Sequence, residues 1–383
     1  MRLVAVVGTR PEAIKMAPVI LALRAEPSIE TLVCSTGQHR EMLDQVLELF
    51  GIEPDVELGL MDPDQGLNGF LGQAIARLDE ALASFAPNRV LVHGDTTTAL
   101  AAALASFHRR IPVGHVEAGL RTYALDRPWP EEMNRRAIDV VSDLLFAPTR
   151  SARRNLKAEA LAGSIVVTGN SGIDALETIV GRLASDDQLR ARADAALPAL
   201  GRGRRLMLVT GHRRESFGEA LRGICEALSR LARSADVDIV YPVHLNPEVR
   251  RPVEAALGGT ANIHLLPPLD FLPFVRLMQR ADLILTDSGG IQEEAPSLGK
   301  PVLVMRDVTE RPEAVEAGTA KLVGTDPARI VDEVERLLGR TPKSFAVGAN
   351  PYGDGQASAR IVDALLGRPF DEFGGTPAGP GFG

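Results

Sequence analysis

The sequence predicts an α/β protein with two Rossmann-like, doubly wound parallel-sheet domains. Short aliphatic runs alternate along the chain with segments of helical periodicity, and polar or glycine-containing turns separate them. The aliphatic runs are apolar throughout and do not alternate with polar residues, which is typical of parallel strands covered on both faces. The length of 383 residues exceeds what one hydrophobic core usually holds, so two domains are expected.

Six strand-like runs predict the sheet of the first domain. Amphipathic segments lie between them, and the one from Glu41 to Phe50 places its apolar residues on one helical face. The runs are Leu3–Val7, Thr31–Ser35, Val90–His93, Val113–Val116, Leu144–Ala147 and Ile165–Thr168.

Six further runs predict a second sheet: Leu206–Thr210, Ile239–Pro242, Ile263–Leu266, Leu283–Thr286, Val302–Met305 and Lys321–Val323. We therefore place the first domain at residues 1–169 and the second at 170–355. Residues 356–367 predict a helix that returns to the first domain, and the Gly/Pro-rich residues 368–383 predict a disordered tail. Two such domains facing one cleft would form the GT-B-like architecture.

Composition excludes several classes of protein. The net charge of −8 and the lack of a Lys/Arg run argue against nucleic-acid binding. Two cysteines do not form a disulfide framework, and no apolar segment reaches the roughly 18 residues that span a bilayer. The apolar run at the N-terminus is too short for a signal peptide, so we expect a cytoplasmic protein. No dinucleotide, Walker or zinc motif is present, and we expect no cofactor and no metal.

Polar residues gather where predicted strands end, which is the edge at which open α/β sheets bind ligands. Five such turns on one functional edge of the two sheets predict a ligand site. They are Gly8–Lys15, Gly94–Thr98, Glu117–Gly119, Gly211–Glu215 and Asp287–Gly290.

Each of these residues also has a purely structural interpretation. Asp95 would cap the following helix, and Glu131 would face the positive end of a helix dipole. His93 and His115 lie inside aliphatic runs, so we interpret them as core histidines with satisfied hydrogen bonds. Asp287–Gly290 is either an anion-binding turn or only a tight connection between strand and helix.

Ordered motifs along almost the whole chain resemble those of the non-hydrolysing UDP-N-acetylglucosamine 2-epimerases. Long motifs in a fixed order are specific evidence of a family. They are the segments 8–15, 92–98, 114–122, 130–135, 211–215, 241–244, 286–297, 306–312 and 350–355.

The resemblance implies a GT-B-like homodimer without metal or redox cofactor. It also implies that UDP-N-acetylglucosamine and UDP-N-acetylmannosamine are interconverted through a 2-acetamidoglucal, for cell-envelope polysaccharides. The positions matching catalytic residues are Asp95, Glu117, Glu131 and His212. The positions matching substrate-binding residues are Arg10, Lys15, Arg135, Phe274, Ser288, Gly289, Gly290, Glu294 and Arg311.

The resemblance further implies a candidate regulatory site for a second nucleotide sugar, at Gln38, His39, Thr97, Arg213 and His244. Glu41 and Asp64 replace a Gln and an Arg of some members, and an acid at either position would repel a diphosphate. Three alternatives to the epimerase remain open at the level of sequence: a GT-B glycosyltransferase, a hydrolysing epimerase that releases free N-acetylmannosamine, and a non-catalytic nucleotide-sugar sensor.

Overall fold

Two parallel sheets, each covered by helices, organise the chain and confirm the predicted fold class. A computed structural model describes residues 1–37, 40–61, 65–201, 203–211, 217–234, 236–339 and 350–375. The chain divides into two compact units. Unit 1 comprises Met1–Thr178 and Tyr352–Gly375, and unit 2 comprises Ile179–Pro351.

Unit 1 contains seven parallel strands in the order β3-β2-β1-β4-β5-β6-β7. The strands are β1 (Arg2–Val7), β2 (Glu30–Ser35), β3 (Val56–Glu57), β4 (Arg89–His93), β5 (Val113–Val116), β6 (Leu144–Ala147) and β7 (Ser164–Val167). The helices are α1 (Arg10–Arg24), α2 (Arg40–Phe50), α3 (Leu67–Phe85), α4 (Thr97–His108), α5 (Glu131–Val141), α6 (Arg150–Ala158) and α7 (Ser171–Ser185). The strands β1, β4 and β5 are buried almost completely, as their apolar runs require.

Unit 2 contains six parallel strands in the order β10-β9-β8-β11-β12-β13. The strands are β8 (Arg205–Thr210), β9 (Val237–Pro242), β10 (Ile263–Leu266), β11 (Leu283–Thr286), β12 (Val302–Val304) and β13 (Ala320–Leu322). The helices are α8 (Asp187–Ala195), α9 (Glu219–Ser234), α10 (Pro247–Leu257), α11 (Phe271–Arg280), α12 (Gly289–Glu294), α13 (Pro312–Glu316) and α14 (Pro327–Leu338).

The last helix, α15 (Ala357–Leu365), packs against α1 and belongs to unit 1. Asp174 on α7 accepts hydrogen bonds from the main-chain nitrogens of Ala357 (3.3 Å) and Ser358 (2.7 Å). These bonds satisfy amide groups at the start of α15 that have no partner within the helix. The division between the units falls inside α7, nine residues beyond the boundary at residue 169 that the sequence suggested.

Residues 368–375 differ from the expectation of a disordered tail. The Phe373 main-chain nitrogen donates to the Val167 oxygen at the end of β7 (2.9 Å), and the Phe373 side chain is buried. Arg153 on α6 forms an ion pair with Glu372. A buried ring, a main-chain hydrogen bond and an ion pair together hold this segment against the sheet. The remainder of that segment, 376–383, lies outside the described residues.

None of the helices in the described part of the chain is both long and apolar enough to cross a membrane.

Candidate active site

In unit 1 the site lies where the strand order reverses. The strands β1 and β4 are neighbours, but the chain continues from β1 outward to β2 and from β4 outward to β5. The connections therefore separate above the carboxyl ends of β1 and β4, and this leaves a crevice. The turns that follow β1, β4 and β5 meet at this edge.

Lys15 and Glu117 form an ion pair at this edge. Lys15 Nζ donates to Glu117 Oε2, and both side chains are largely buried. Glu117 directly follows β5 with φ of +69°, a left-handed conformation that is uncommon for a residue with a side chain. Backbone strain of this kind is often retained at functional sites.

His93 at the end of β4 lies beside the same carboxylate. Its Nε2 atom is 3.8 Å from Glu117 Oε2, beyond hydrogen-bond distance, and it has no hydrogen-bond partner among the described residues. The interpretation of His93 as a core histidine with satisfied hydrogen bonds is therefore wrong, because Lys15 occupies the near oxygen of Glu117. Burial lowers the pKa of His93 to about 4, so the ring is neutral at pH 7.

Asp95 is held by two residues of α5. Arg135 Nη2 donates to Asp95 Oδ2 at 2.5 Å, and Asn134 Nδ2 donates to the Asp95 main-chain oxygen at 2.9 Å. Burial raises the pKa of Asp95, the Arg135 charge opposes that rise, and the charges of Glu117 and Glu131 add to it. A carboxyl group with a raised pKa is suited to exchanging a proton with substrate near neutral pH.

Glu131 begins α5 and carries a buried carboxylate oxygen without a partner. Its Oε2 atom is inaccessible to solvent and accepts no hydrogen bond from the residues that the structure describes. Its negative charge contributes to the raised pKa of Asp95, so the two carboxylates are close enough to interact. A buried oxygen without a partner is costly, and a catalytic role is one reason for which native proteins retain such a group.

Glu12 is a site residue that the sequence analysis included in the segment Gly8–Lys15 but did not name as a candidate. Its Oε2 atom accepts from the main-chain nitrogens of Gly8 (3.0 Å) and Thr9 (2.7 Å), and its Oε1 atom accepts from the Thr96 hydroxyl (2.6 Å). Glu12 therefore connects the turn after β1 to the turn that carries Asp95. The Thr-x-x-Glu spacing of a capping box at Thr9 was the signal that could have identified it.

The other predicted residues of unit 1 take less central positions. Arg10 begins α1 and is half-buried, and Thr97 is buried as the first residue of α4. The predicted residues Gln38, His39, His212 and Arg213 lie outside the described residues, as does Asp64.

In unit 2 the corresponding reversal of strand order lies between β8 and β11. Asp287 and Ser288 connect β11 to α12, and Gly289 and Gly290 are the first two residues of that helix. The Ser288 nitrogen donates to the Thr286 hydroxyl at 2.9 Å, which fixes the turn. A side chain added at Gly290 would meet nothing closer than Glu294 Oε1 at 3.9 Å, so this backbone has open space beside it. Such a turn is compatible with a bound anion.

Two acidic residues on α12 lie close to this turn. Glu293 is buried and forms an ion pair with Arg311 Nε, whereas the Glu294 side chain is half-buried. The Arg311 main-chain nitrogen also donates to the Thr309 hydroxyl at 3.1 Å. Arg311 is thus fixed next to α12, where sequence reasoning left open whether it reached the site or stayed on the surface.

Phe274 and His244 complete the predicted residues of unit 2. Phe274 lies in the first turn of α11 and is half-buried. His244 is exposed beyond the end of β9, and its Nδ1 atom accepts from the Asn246 main-chain nitrogen at 3.1 Å. Among the described residues, no three His, Cys, Asp or Glu side chains are grouped to hold a metal ion.

Comparison with known proteins identifies the same family as the sequence motifs, and the match extends along most of the chain. Residues 21–366 match the family model described as UDP-N-acetylglucosamine 2-epimerase. The UDP-N-acetylglucosamine 2-epimerase of Escherichia coli (strain K12) is 56% identical over 369 residues, which cover 95% of this chain and 98% of the relative. A probable enzyme of the same name from Ralstonia solanacearum is 56% identical over 368 residues, 95% of this chain and 98% of the relative.

Solved structures agree with this result. The Neisseria meningitidis UDP-GlcNAc 2-epimerase bound to UDP-GlcNAc is 49% identical, with a TM-score of 0.87 over 96% of this chain and 100% of that chain. The S. aureus MnaA–UDP co-structure is 42% identical, with a TM-score of 0.82 over 97% of this chain and 100% of that chain. A match to a model over most of the chain, and relatives this similar over nearly their full length, define membership. The chain therefore belongs to the UDP-N-acetylglucosamine 2-epimerase family of isomerases.

Proposed function

We propose that this protein interconverts UDP-N-acetylglucosamine and UDP-N-acetylmannosamine by eliminating UDP and adding it back to a 2-acetamidoglucal intermediate. The observation that carries the proposal is the cluster of Asp95, Glu117 and Glu131 at the edge of the unit 1 sheet, with Lys15 and Arg135 as its cations. Inversion at C2 needs acid and base groups on both faces of the sugar, and a cluster of several carboxylates supplies them.

Elimination breaks two bonds of the sugar. The C1–O bond breaks and UDP departs with the bonding electrons, while a base takes the proton from C2 and a C1–C2 double bond forms. Asp95 and Glu117 are our candidates for proton transfer at C2, with Glu131 supporting them. Delivery of a proton to the opposite face of C2, with return of UDP to C1, inverts the centre. General acid–base catalysis of this kind contributes about 10²- to 10⁴-fold.

The departing UDP carries negative charge that the protein must stabilise. In unit 2 the Ser288–Gly290 turn offers main-chain N–H groups beside open space, and Arg311 adds a guanidinium that can donate two parallel hydrogen bonds. Arg10 and Lys15 are proposed as further cations for the diphosphate, and Phe274 and Glu294 as contacts to the nucleoside. His212 is proposed to assist the leaving group.

The biological setting is part of the same proposal. We infer a cytoplasmic homodimer that supplies N-acetylmannosamine units for cell-envelope polysaccharides, since the family resemblance implies this setting. The candidate regulatory site at Gln38, His39, Thr97, Arg213 and His244 stays a prediction. Acidic Glu41 and Asp64 weigh against it, because both would repel a second diphosphate.

Proton NMR of UDP-N-acetylglucosamine in deuterated water, with the purified protein and no acceptor, tests the proposal. We expect UDP-N-acetylmannosamine to appear with deuterium at C2, because a proton removed by a carboxylate exchanges with solvent. Release of free N-acetylmannosamine with UDP would identify a hydrolysing epimerase. Turnover only after an acceptor is added would identify a glycosyltransferase, and no turnover under any condition would leave a sensor.

A further inference from the structure

His115 lies in the middle of β5, and both of its ring nitrogens face oxygen atoms. Nδ1 is 2.6 Å from Asp139 Oδ1, and Nε2 is 2.7 Å from the main-chain oxygen of Gly94. The side chains of His115 and Asp139 are completely buried. A carbonyl oxygen and an ionised carboxylate can only accept hydrogen bonds. Both ring nitrogens must then donate, which makes the ring an imidazolium cation.

Two carboxylates and two guanidinium groups surround that cation. Arg121 Nη2 donates to Asp139 Oδ2 at 2.6 Å, and the same guanidinium donates twice to Glu159, at 2.8 and 2.7 Å. The half-exposed Arg136 lies further out, with its Nε atom 3.7 Å from Glu159 Oε1. Burial opposes ionisation of Asp139, but the His115 ring and the Arg121 guanidinium outweigh it and hold the pKa of Asp139 below its usual value. The neutral ring of His93, on the neighbouring strand, is also close enough to His115 to interact with it.

A neutral His115 would not fit this environment. With the proton on Nδ1, the Nε2 lone pair would face the Gly94 oxygen at 2.7 Å. With the proton on Nε2, the Nδ1 lone pair would face the Asp139 carboxylate at 2.6 Å. Two acceptors that face each other in a buried site repel and lose a hydrogen bond that each would otherwise make.

His115 and its two partners belong to the three segments that carry or adjoin the proposed catalytic acids. Gly94 immediately precedes Asp95, and its φ of +65° sets the direction in which the chain leaves β4. His115 itself lies two residues before Glu117 on β5. Asp139 lies on α5, the helix that begins with Glu131 and supplies Arg135 to Asp95.

We propose that the His115 imidazolium, held by Asp139 and Arg121, is a positioning residue that fixes the Gly94–Asp95 turn, the end of β5 and α5 relative to one another. Its task is to place Asp95, Glu117 and Glu131 around one sugar ring, and in this respect the inference rests on the proposed epimerase function. His115 does not touch substrate in this role.

The protonation of His115 can be tested without any assay of activity. Nitrogen-15 NMR of the ¹⁵N-histidine-labelled wild-type protein at pH 7 is expected to show one ring with both nitrogens protonated. The spectrum of His115→Gln assigns that ring, because its signals disappear. A spectrum in which either nitrogen of His115 lacks its proton would overturn the imidazolium, including the case in which the proton resides on Asp139.

Kinetics of two variants test the positioning role. In His115→Gln and Asp139→Asn we expect kcat for epimerisation to fall by about 10²-fold, as a small displacement of catalytic groups does. We expect KM and the affinity for UDP measured by calorimetry to stay within about twofold, since the Ser288–Gly290 turn and Arg311, the main groups proposed to bind the diphosphate, lie in unit 2. Two variants are used because either one alone could fold poorly.

His264→Gln on β10 is the matched control, a half-buried strand histidine in unit 2 that should retain wild-type kcat. Loss of kcat and UDP affinity in parallel with a lower melting temperature would mean that His115 only supports the fold, and would overturn the positioning role. If the wild-type protein has no epimerase activity, the proposed function is wrong and the positioning role falls with it. The protonation of His115 is decided separately, by the NMR spectrum.

Discussion

The Arg135 guanidinium and the Asp95 carboxylate meet at 2.5 Å, and this pair opposes the rise that burial imposes on the pKa of Asp95. Removal of the cation in Arg135→Gln should therefore raise the pKa of Asp95 further. If Asp95 acts as the base, the acidic limb of the pH profile of kcat/KM moves to higher pH. If it acts as the acid, the alkaline limb moves in the same direction.

The pH profile of Arg135→Gln, compared with that of Arg154→Gln on α6, checks this prediction. Arg154 is exposed and its guanidinium donates to the Ser151 hydroxyl at 2.8 Å, so its loss should leave both limbs in place. A limb that moves to lower pH in Arg135→Gln would contradict the electrostatic role.

Neutral isosteres of the clustered acids should affect turnover far more than binding. Asp95→Asn and Glu117→Gln remove the groups that exchange a proton with C2, so we expect kcat to fall by about 10²- to 10⁴-fold. Calorimetry should show UDP affinity within about twofold of wild type, because the proton-transfer groups are not required to hold UDP.

Asp79→Asn is the control for these isosteres, since Asp79 is half-exposed and pairs with Arg109 on the surface. Equal losses of kcat and UDP affinity in Asp95→Asn would show that Asp95 is a binding residue.

Substitution of Arg311 tests the proposed diphosphate site of unit 2. Arg311→Gln removes a charged hydrogen-bond donor to UDP, whose loss costs about 1.5–3 kcal/mol, so the Kd for UDP should rise by about 10- to 100-fold. Titration calorimetry with UDP measures this directly, and Arg222→Gln, an exposed residue paired with Glu219, serves as the control. An unchanged Kd would assign Arg311 only to its ion pair with Glu293.

Substitution of two glycines by alanine should change the free energy of unfolding in opposite directions. A Cβ atom at Gly8 would lie 2.3 Å from the hydroxyls of both Thr36 and Thr98, so Gly8→Ala must displace the turn after β1. Overpacking of this kind costs about 1–3 kcal/mol. A Cβ atom at Gly72 within α3 would meet nothing within 4 Å, so Gly72→Ala should stabilise by about 0.5–1 kcal/mol.

Denaturation by heat or urea measures both glycine variants. We expect Gly8→Ala also to lose most of its activity, because the displaced turn leads directly into α1, the helix that carries Arg10 and Lys15. A melting temperature for Gly8→Ala at or above the wild-type value would rule out the close packing at Thr36 and Thr98.

The fold followed from local patterns wherever a strand was long enough to leave a continuous apolar run. The strands β5, β6, β10 and β11 have the bounds that the sequence predicted. The strand β3 was missed because its two residues, Val56 and Glu57, are too few to form a pattern. The ends of other strands moved by one or two residues, since main-chain pairing with a neighbour decides where a strand stops.

The site was predictable to the extent that its residues follow strands directly. Asp95 and Glu117 lie at the sheet edge where the spacing placed them. The roles of Glu12 and His115 depend on hydrogen bonds to residues 84 and 24 positions away along the chain, and no local pattern encodes such partners. His93 was misjudged for the same reason, because only the fold reveals that its Nε2 atom faces a carboxylate already paired with Lys15.

The buried ring of Phe373 has a practical consequence for anyone trimming or tagging the protein. The Gly/Pro-rich composition suggests that the chain could be truncated at residue 368. Such a truncation would remove Phe373 from the end of β7 and Glu372 from its ion pair with Arg153. A purification tag or a fluorescent fusion joined at Gly375 or later would keep both contacts.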